Sequence, residues 1–270
     1  MKIFDIYYKS DRKVYLDLLE NETLTTIPLE SYQFNFVLSS EKFCPGYFQN
    51  SKYNKCIRNN KIGDKAVLCD DCERAIGFKS AFFMNATPNE SMNEYLRKKH
   101  FLYLAYFEPG ILKVGTANID RGETRLLEQD AQFYSFIDSA DGFEIPKKEK
   151  DTSIKLNLTT AVKSVHKSKY LGIKPNSENV EKIFESKFDI LNISEKPQVV
   201  DLTSAYFYPE DYTIISDNLN LVGTFKGLRG RYLIIENQNN KAFDINYIIG
   251  RTITAYLDEY EYLTELTLFG

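Results

Sequence analysis

The 270-residue sequence has no tryptophan, only two histidines, three methionines and four cysteines, and several absences close whole classes of reading. No run of about 18 apolar residues occurs, so no membrane-spanning helix and no membrane partner are expected. The N-terminus, MKIFDIYYKSDRK, lacks the basic-then-apolar order of a secretory leader, which points to a cytoplasmic protein. There is no Walker loop, no dinucleotide fingerprint and no nucleophile elbow, so P-loop nucleotide hydrolysis, hydride transfer and serine-type acyl chemistry have no support. His100 and His166 are far apart and have no ligand spacing. Both read as surface residues, with His166 a minor candidate for phosphate contact. A net charge of −4 argues against a generally basic nucleic-acid coat.

What is present describes a globular chain. Hydrophobic residues make up 43% and charged residues 27%, and the aromatic content is 19 Tyr and 19 Phe, residues that favour strands. The length suits one large domain or two to three small ones. All four cysteines, Cys44, Cys56, Cys69 and Cys72, fall between residues 44 and 72. In a reducing compartment four thiolates at this spacing can close a tetrahedral shell around a structural zinc, with no open position for catalysis. Cys69 and Cys72 have standard CxxC spacing, whereas eleven residues separate Cys44 from Cys56. Free thiols or a redox pair are the other readings.

Apolar periodicity divides the chain into an N-terminal β unit (1–43), a four-cysteine zinc-binding segment (44–80), an α/β core with helices (81–195) and a C-terminal β domain (196–270). Helices are expected from Pro88 to Lys99 with Asn89 as N-cap, from Pro146 onward, around Ala161, Val162, Val165 and His166, and from Asn176-Ser177 through Val180, Phe184 and Phe188. Strands are expected over 132–137, 220–225, 231–236, 248–257 and 263–269, the last four building a small barrel or sheet. A faint echo links Val14-Tyr15-Leu16 to Arg231-Tyr232-Leu233, through two related β units or by chance.

The densest stretch runs from His100 to Gln129. Leu102 to Phe107 and Ile111 to Val114 read as a buried hairpin about Pro109-Gly110, Gly115 as the point where the second strand ends and backbone bends or approaches something closely, and Glu123 to Gln129 as a short helix. Arg125 and Gln129, four apart, share one helical face. Leu102-Tyr103 resembles the end of the first motif of the GIY-YIG nuclease superfamily, and Lys113-Val114-Gly115 a divergent second motif with lysine for tyrosine. Arg125 falls where that superfamily carries its helical arginine. The resemblance covers about a quarter of the chain. Over most of its length, including the cysteines and the Gly-Leu-Arg-Gly-Arg-Tyr-Leu-Ile segment near residue 230, the sequence is more closely similar to a bacterial family defined by a domain of unknown function.

The resemblance implies an α+β fold with a GIY-YIG-like core, the zinc segment and flanking β units, and it implies phosphodiester hydrolysis. Tyr103 would position or deprotonate water, Arg125 would grip phosphate, and Glu149, with Glu144 as alternative, would bind a catalytic magnesium or manganese. Lys113 would contact phosphate, and Gln129 stands where many relatives place a histidine. Read singly, Tyr103 is a core aromatic, Arg125 a surface ion-pair residue and Glu149 a solvated charge. Charge adds a partner: residues 45–68 carry a net +4 and residues 147–174 a net +6, the latter including Lys163 and Lys167 as phosphate contacts, against ten carboxylates and five basic residues after 200. Nucleic acid, DNA ahead of RNA, is the expected partner, and a catalytically inactive nucleic-acid-binding module or a protein scaffold are the competing readings.

Overall fold

The computed structural model describes residues 1–49, 52–76, 90–216 and 218–257. Two-residue alternation governs its first strands. β1 (Lys2–Tyr8) buries Ile3, Ile6 and Tyr8 across a bulge, and β2 (Val14–Glu20) turns into β3 (Thr23–Pro28) through Asn21 and Glu22, both at positive φ (47° and 67°) as a tight hairpin between twisted strands requires. In β4 (Gln33–Lys42), Phe34, Phe36 and Leu38 are buried while Gln33 and Asn35 are exposed. A short hairpin, β5 (Tyr47–Gln49) and β6 (Lys52–Asn54), and two helices, α1 (Asp70–Ile76) and α2 (Glu90–Arg97), follow. The expected helix start at Pro88 and Asn89 lies outside the described residues, as does the strand expected over 263–269.

The central part is β7 (Lys99–Phe107), β8 (Ile111–Asn118), α3 (Gly122–Glu128), β9 (Phe133–Asp141), α4 (Ile145–Leu156), α5 (Ser164–Lys167) and α6 (Ser177–Leu191). With β10 (Val200–Asp201) it forms a four-stranded sheet in the order β10-β9-β7-β8, so the first strand of the hairpin is central. β7 reads as a continuous apolar run because both its faces are covered. Leu102, Leu104 and Tyr106 pack against Ile145, Leu156, Val180, Phe184 and Phe188 of α4 and α6, while Tyr103, Ala105 and Phe107 join Leu126 and Leu127 in the core shared with the large sheet. Each fully buried Leu or Phe contributes about 1.5–3 kcal/mol.

The remaining strands, β11 (Tyr212–Ile215), β12 (Asn220–Arg229), β13 (Tyr232–Asn237), β14 (Asn239–Asp244) and, after the turn of helix α7 (Ile245–Ile248), β15 (Arg251–Tyr256), do not form a domain of their own. They enter one nine-stranded open sheet with the N-terminal strands, in the order β11-β14-β13-β12-β4-β15-β1-β2-β3. The expected separation of 1–43 from 196–270 is therefore corrected. Either unit alone would leave the edge of β4 or β12 unpaired, and each supplies the other's missing partner.

Setting β11 aside, the sheet has an internal two-fold pattern in which β1, β2, β3 and β4 correspond to β12, β13, β14 and β15. The correspondence holds residue by residue. Both first strands bulge after the same pair, Ile3 with Leu18 and Phe225 with Ile235, and Leu29 N donates to Val14 O at 2.9 Å where Ile245 N donates to Arg231 O at 2.8 Å. The axis passes between β4 and β15, whose pairs Phe36 with Tyr256 and Val37 with Ala255 exchange under it. The echo at Val14-Tyr15-Leu16 and Arg231-Tyr232-Leu233 falls on matching positions of β2 and β13.

The two sheets are tied by a buried ion pair. Arg229 Nε donates to Asp130 Oδ1 at 2.5 Å and Nη1 to Leu171 O at 2.6 Å, while the guanidinium lies 4.4 Å from the Tyr208 ring centre. Arg229 and Asp130 are almost wholly out of water, with side chains 1% and 5% exposed. This gives the Gly-Leu-Arg-Gly-Arg segment an architectural part.

Candidate active site and metal centre

Tyr103 lies at the middle of β7, and the residue paired with it across the hairpin is Gly115. A Cβ at position 115 would sit 2.4 Å from Tyr103 Oη, so the missing side chain is the space the phenol occupies. The expected close approach is there, but the strand does not end: β8 continues to Asn118. Lys113 lies two residues earlier on the same strand face. Tyr103 Oη donates to Gln129 Oε1 at 3.2 Å and Lys113 Nζ to the same oxygen at 2.6 Å, while Lys167 Nζ, arriving from α5, donates to Gln129 O. Gln129, the C-cap of α3, thus gathers three of the expected residues.

Burial sets their ionisation. It lowers the Lys113 ammonium to about 8, with Lys167 and Arg125 pushing the same way and Glu149 opposing. It lowers Lys167 to about 8 as well, against the pull of Asp130 and with Arg125 adding to the fall. The Tyr103 phenol is pushed up to about 12 by burial, with Arg125 and the Gln129 hydrogen bond drawing it down and Glu149 raising it. Burial raises the Glu149 carboxyl, and Lys113 offsets part of that. Arg125 and Glu149 therefore act through space on both Tyr103 and Lys113. Arg125 is exposed on α3 and Glu149 half-buried on α4, and neither has an ion pair or side-chain hydrogen bond among the described residues. Glu144 is exposed at the N-cap of α4. Lys163 stands exposed at the N-cap of α5, with no side-chain partner among the described residues, and is not drawn into the group.

The four cysteines converge where β4 ends. Their sulfurs all lie within 4.8 Å of one another, all four residues are buried, and all four thiols are free. Antiparallel pairing of β5 with β6 brings Cys56 back beside Cys44, helped by Gly46 at φ +84°, where a Cβ would meet Asn54 O at 2.4 Å. Cys69 precedes α1 and Cys72 sits in its first turn. Cys56 and Cys69 sulfurs are 3.8 Å apart, and a tetrahedral ion with sulfur ligands at about 2.3 Å requires an edge of about 3.8 Å. Burial alone would raise the Cys69 thiol, but hydrogen bonding from Asn60, the Cys72 backbone and neighbouring thiols brings it down to about 7. Four buried, unbonded sulfurs at this spacing could hold a zinc ion.

Comparison with protein-family models, with curated proteins and with solved structures finds no match to this chain.

Three residues escaped the sequence reading. His100 is buried, 2% exposed, with Nδ1 2.9 Å from Lys98 O and its edge against the Tyr95 ring, so it is not a surface residue. Burial lowers its imidazole below the ordinary value. His166 is half-buried beside Tyr170, with its Nε2 buried and without a hydrogen-bond partner among the described residues. Asp130 was missed too, because its partner Arg229 is 99 residues away and no local pattern announces the pair. Its positive φ of 65° has a sequence trace only in the aspartate itself, a residue that tolerates that region.

Proposed function

We propose that the face carrying Tyr103, Lys113, Arg125, Gln129 and Glu149 is a phosphodiester site, and that the protein is a metal-dependent nuclease of the GIY-YIG type acting on DNA ahead of RNA. One observation carries the reading: an exposed arginine and a half-buried glutamate, both unpaired among the described residues, flank two lysines and a phenol gathered on one glutamine. The order hairpin, helix, strand, helix with a central first strand agrees with the resemblance at Leu102-Tyr103, Lys113-Val114-Gly115 and Arg125.

In this reading Arg125 receives the phosphate through its forked donors, and Lys167 adds positive charge behind it. Tyr103, raised to about 12, keeps its proton near neutrality and orients water through its hydroxyl. Lys113, lowered to about 8, is the group whose neutral form is available near neutral pH to accept a proton from that water. Glu149 would hold magnesium or manganese together with substrate oxygens, and such an ion stabilises the charge that develops on the leaving oxygen. The zinc centre of Cys44, Cys56, Cys69 and Cys72 would be structural, since four thiolates complete the shell.

Incubation of the full chain with duplex DNA, single-stranded DNA and RNA in magnesium or manganese tests the proposal. The expected result is cleavage that Arg125→Ala and Glu149→Ala each reduce by about a hundredfold or more. The rate should rise with pH towards 8, and Lys113→Arg should remove that dependence. The second reading, a binding module without cleavage, is favoured by the hydrogen bond that Lys113 already donates to Gln129. It predicts salt-dependent binding by fluorescence anisotropy with no product. Neither cleavage nor binding would end both.

A further inference from the structure

On the face of the large sheet near the four cysteines, β1 and β2 form one wall of a cleft of about 570 Å³ whose other side is the β5–β6 hairpin. Its lining combines the rings of Phe4, Tyr7, Tyr47 and Phe48 with two carboxylates, Asp5 and Asp17. The two aspartates are partners in the β1–β2 register, so they project on the same side of the sheet, and like charges directly opposite each other are destabilising. Asp17 is 8% exposed and accepts from Thr26 Oγ1 at 2.6 Å and from Tyr7 Oη at 3.5 Å. Asp5 accepts from its neighbour Ile6 N at 2.8 Å.

Neither aspartate has a lysine or arginine partner among the described residues. The cations nearby are engaged elsewhere: Arg121 pairs with Glu128, and Lys9 lies 4.0 Å over the Tyr15 ring. Burial pushes Asp5 up to about 6, with the helix α3 carboxylate of Glu128 and then Asp17 adding to the rise and Arg121 opposing it. The fold does not need these acids. At the corresponding positions of the second half of the sheet, the residues that stand for Asp5 and Asp17 are Gly227 and Ile234, which pair with each other in the same way.

A partly buried acidic pair without a counter-ion, walled by aromatic faces, matches one ligand chemistry. We infer that this cleft binds an organic cation, a guanidinium or alkylammonium group, with Asp5 and Asp17 as its counter-ions and the rings of Tyr7, Tyr47 and Phe48 as its apolar walls. Ring faces attract such a cation while the carboxylates take its N–H donors. A hard divalent ion is a poor fit, because it favours a compact shell of oxygens and gains little from aromatic walls. The cation could be a free amine or the side chain of a basic polypeptide. The inference is independent of the nuclease reading, since the cleft shares no residue with the proposed phosphodiester site.

An NMR titration following the Tyr7, Tyr47 and Phe48 ring resonances tests it on the full chain. The probes are methylguanidinium, methylammonium, acetyl-Gly-Arg-Gly-amide and acetyl-Gly-Lys-Gly-amide, with the neutral citrulline peptide and magnesium as controls. Saturating ring shifts are expected with at least one cation at a Kd on the order of 1 mM. Equal response to the small cations and the peptides assigns a free amine, and a tighter response to the peptides assigns a basic side chain. Asp5→Asn should weaken binding by about tenfold or more. Phe48→Ala, a change at a ring 43% exposed, should weaken it severalfold without disturbing the fold. Rings unmoved by every organic cation, moved equally by citrulline, or moved only by magnesium would overturn the inference.

Discussion

Asp5 is a half-buried acid with no lysine or arginine partner among the described residues. Its carboxyl titrates at about 6 in the folded chain against an ordinary 3.8. The folded state therefore holds an extra proton between those values, and the contribution of Asp5 to stability falls as pH rises across that window. Asp5→Asn should accordingly raise the stability of the free protein at pH 7 by about 1–2 kcal/mol and flatten its pH dependence. Urea unfolding at pH 4 and pH 7 checks this, and an unchanged or lower midpoint for the variant at pH 7 counts against it. The second half of the sheet carries Gly227 and Ile234 at the matching positions, so the strand pairing itself does not require an acid there. Sequence alone showed none of this. Asp5 follows Phe4 in an ordinary strand pattern, and its opposition to Asp17 exists only once β1 and β2 are in register. Tyr103, Lys113 and Gln129 lie within one short stretch of sequence, and the hairpin with its following helix brings them together at Gln129, whereas the burial of His100 depends on α2 covering the start of β7.

At the scale of the element, local codes carried far. Asn176 caps α6, its side chain accepting from Asn179 N at 3.1 Å, and Val180, Phe184 and Phe188 fill its buried face as their spacing requires. Pro146 sits in the first turn of α4, where its missing N–H is harmless. The helix expected around Ala161 to His166 shrinks to Ser164–Lys167 for a tertiary reason: Thr159 bridges to Lys113, its carbonyl accepts from Val114 N at 3.0 Å, and its hydroxyl bonds the backbone of Ala161, which holds the chain before Ser164 out of the helix. The cysteine segment is where an ion could take the place of a core. It contributes few buried apolar side chains beyond Tyr47, Ile62 and Leu68 around the four sulfurs. Chelation, or Cys72→Ser, should remove about one zinc per chain and release amide protection through residues 44–76, while β7 and α6 stay protected. Metal analysis combined with hydrogen exchange checks the outcome; protection unchanged after complete metal loss would show that the segment folds without it.

For the molecule as a whole, which strands became neighbours was beyond the reach of periodicity. Alternation identified β4 and β12 as strands but could not state that they pair, because a half-buried strand carries the same pattern whichever neighbour it takes. The tie between the two sheets is equally non-local and rests on Arg229 and Asp130. Asp130→Ala would leave a guanidinium out of water with only backbone carbonyls and ring faces around it, and should cost about 3–5 kcal/mol. Thermal unfolding of the variant gives the measure. A loss below about 1 kcal/mol would mean that the carbonyls and the rings of Tyr206 and Tyr208 suffice.

The central β4–β15 pair also sets an order of events during synthesis. Phe36 leaves the ribosome long before Tyr256, its cross-strand partner, has been made. Until β12 is made, β4 lacks both of its neighbours, β12 and β15, and presents a row of unsatisfied backbone groups beside Phe34 and Phe36; until β15 follows, it still lacks one. Strands β1 to β4 are thus completed by β12 and β15, and a chain cut short before residue 220 holds a sticky half-sheet with neither partner of β4 to close it.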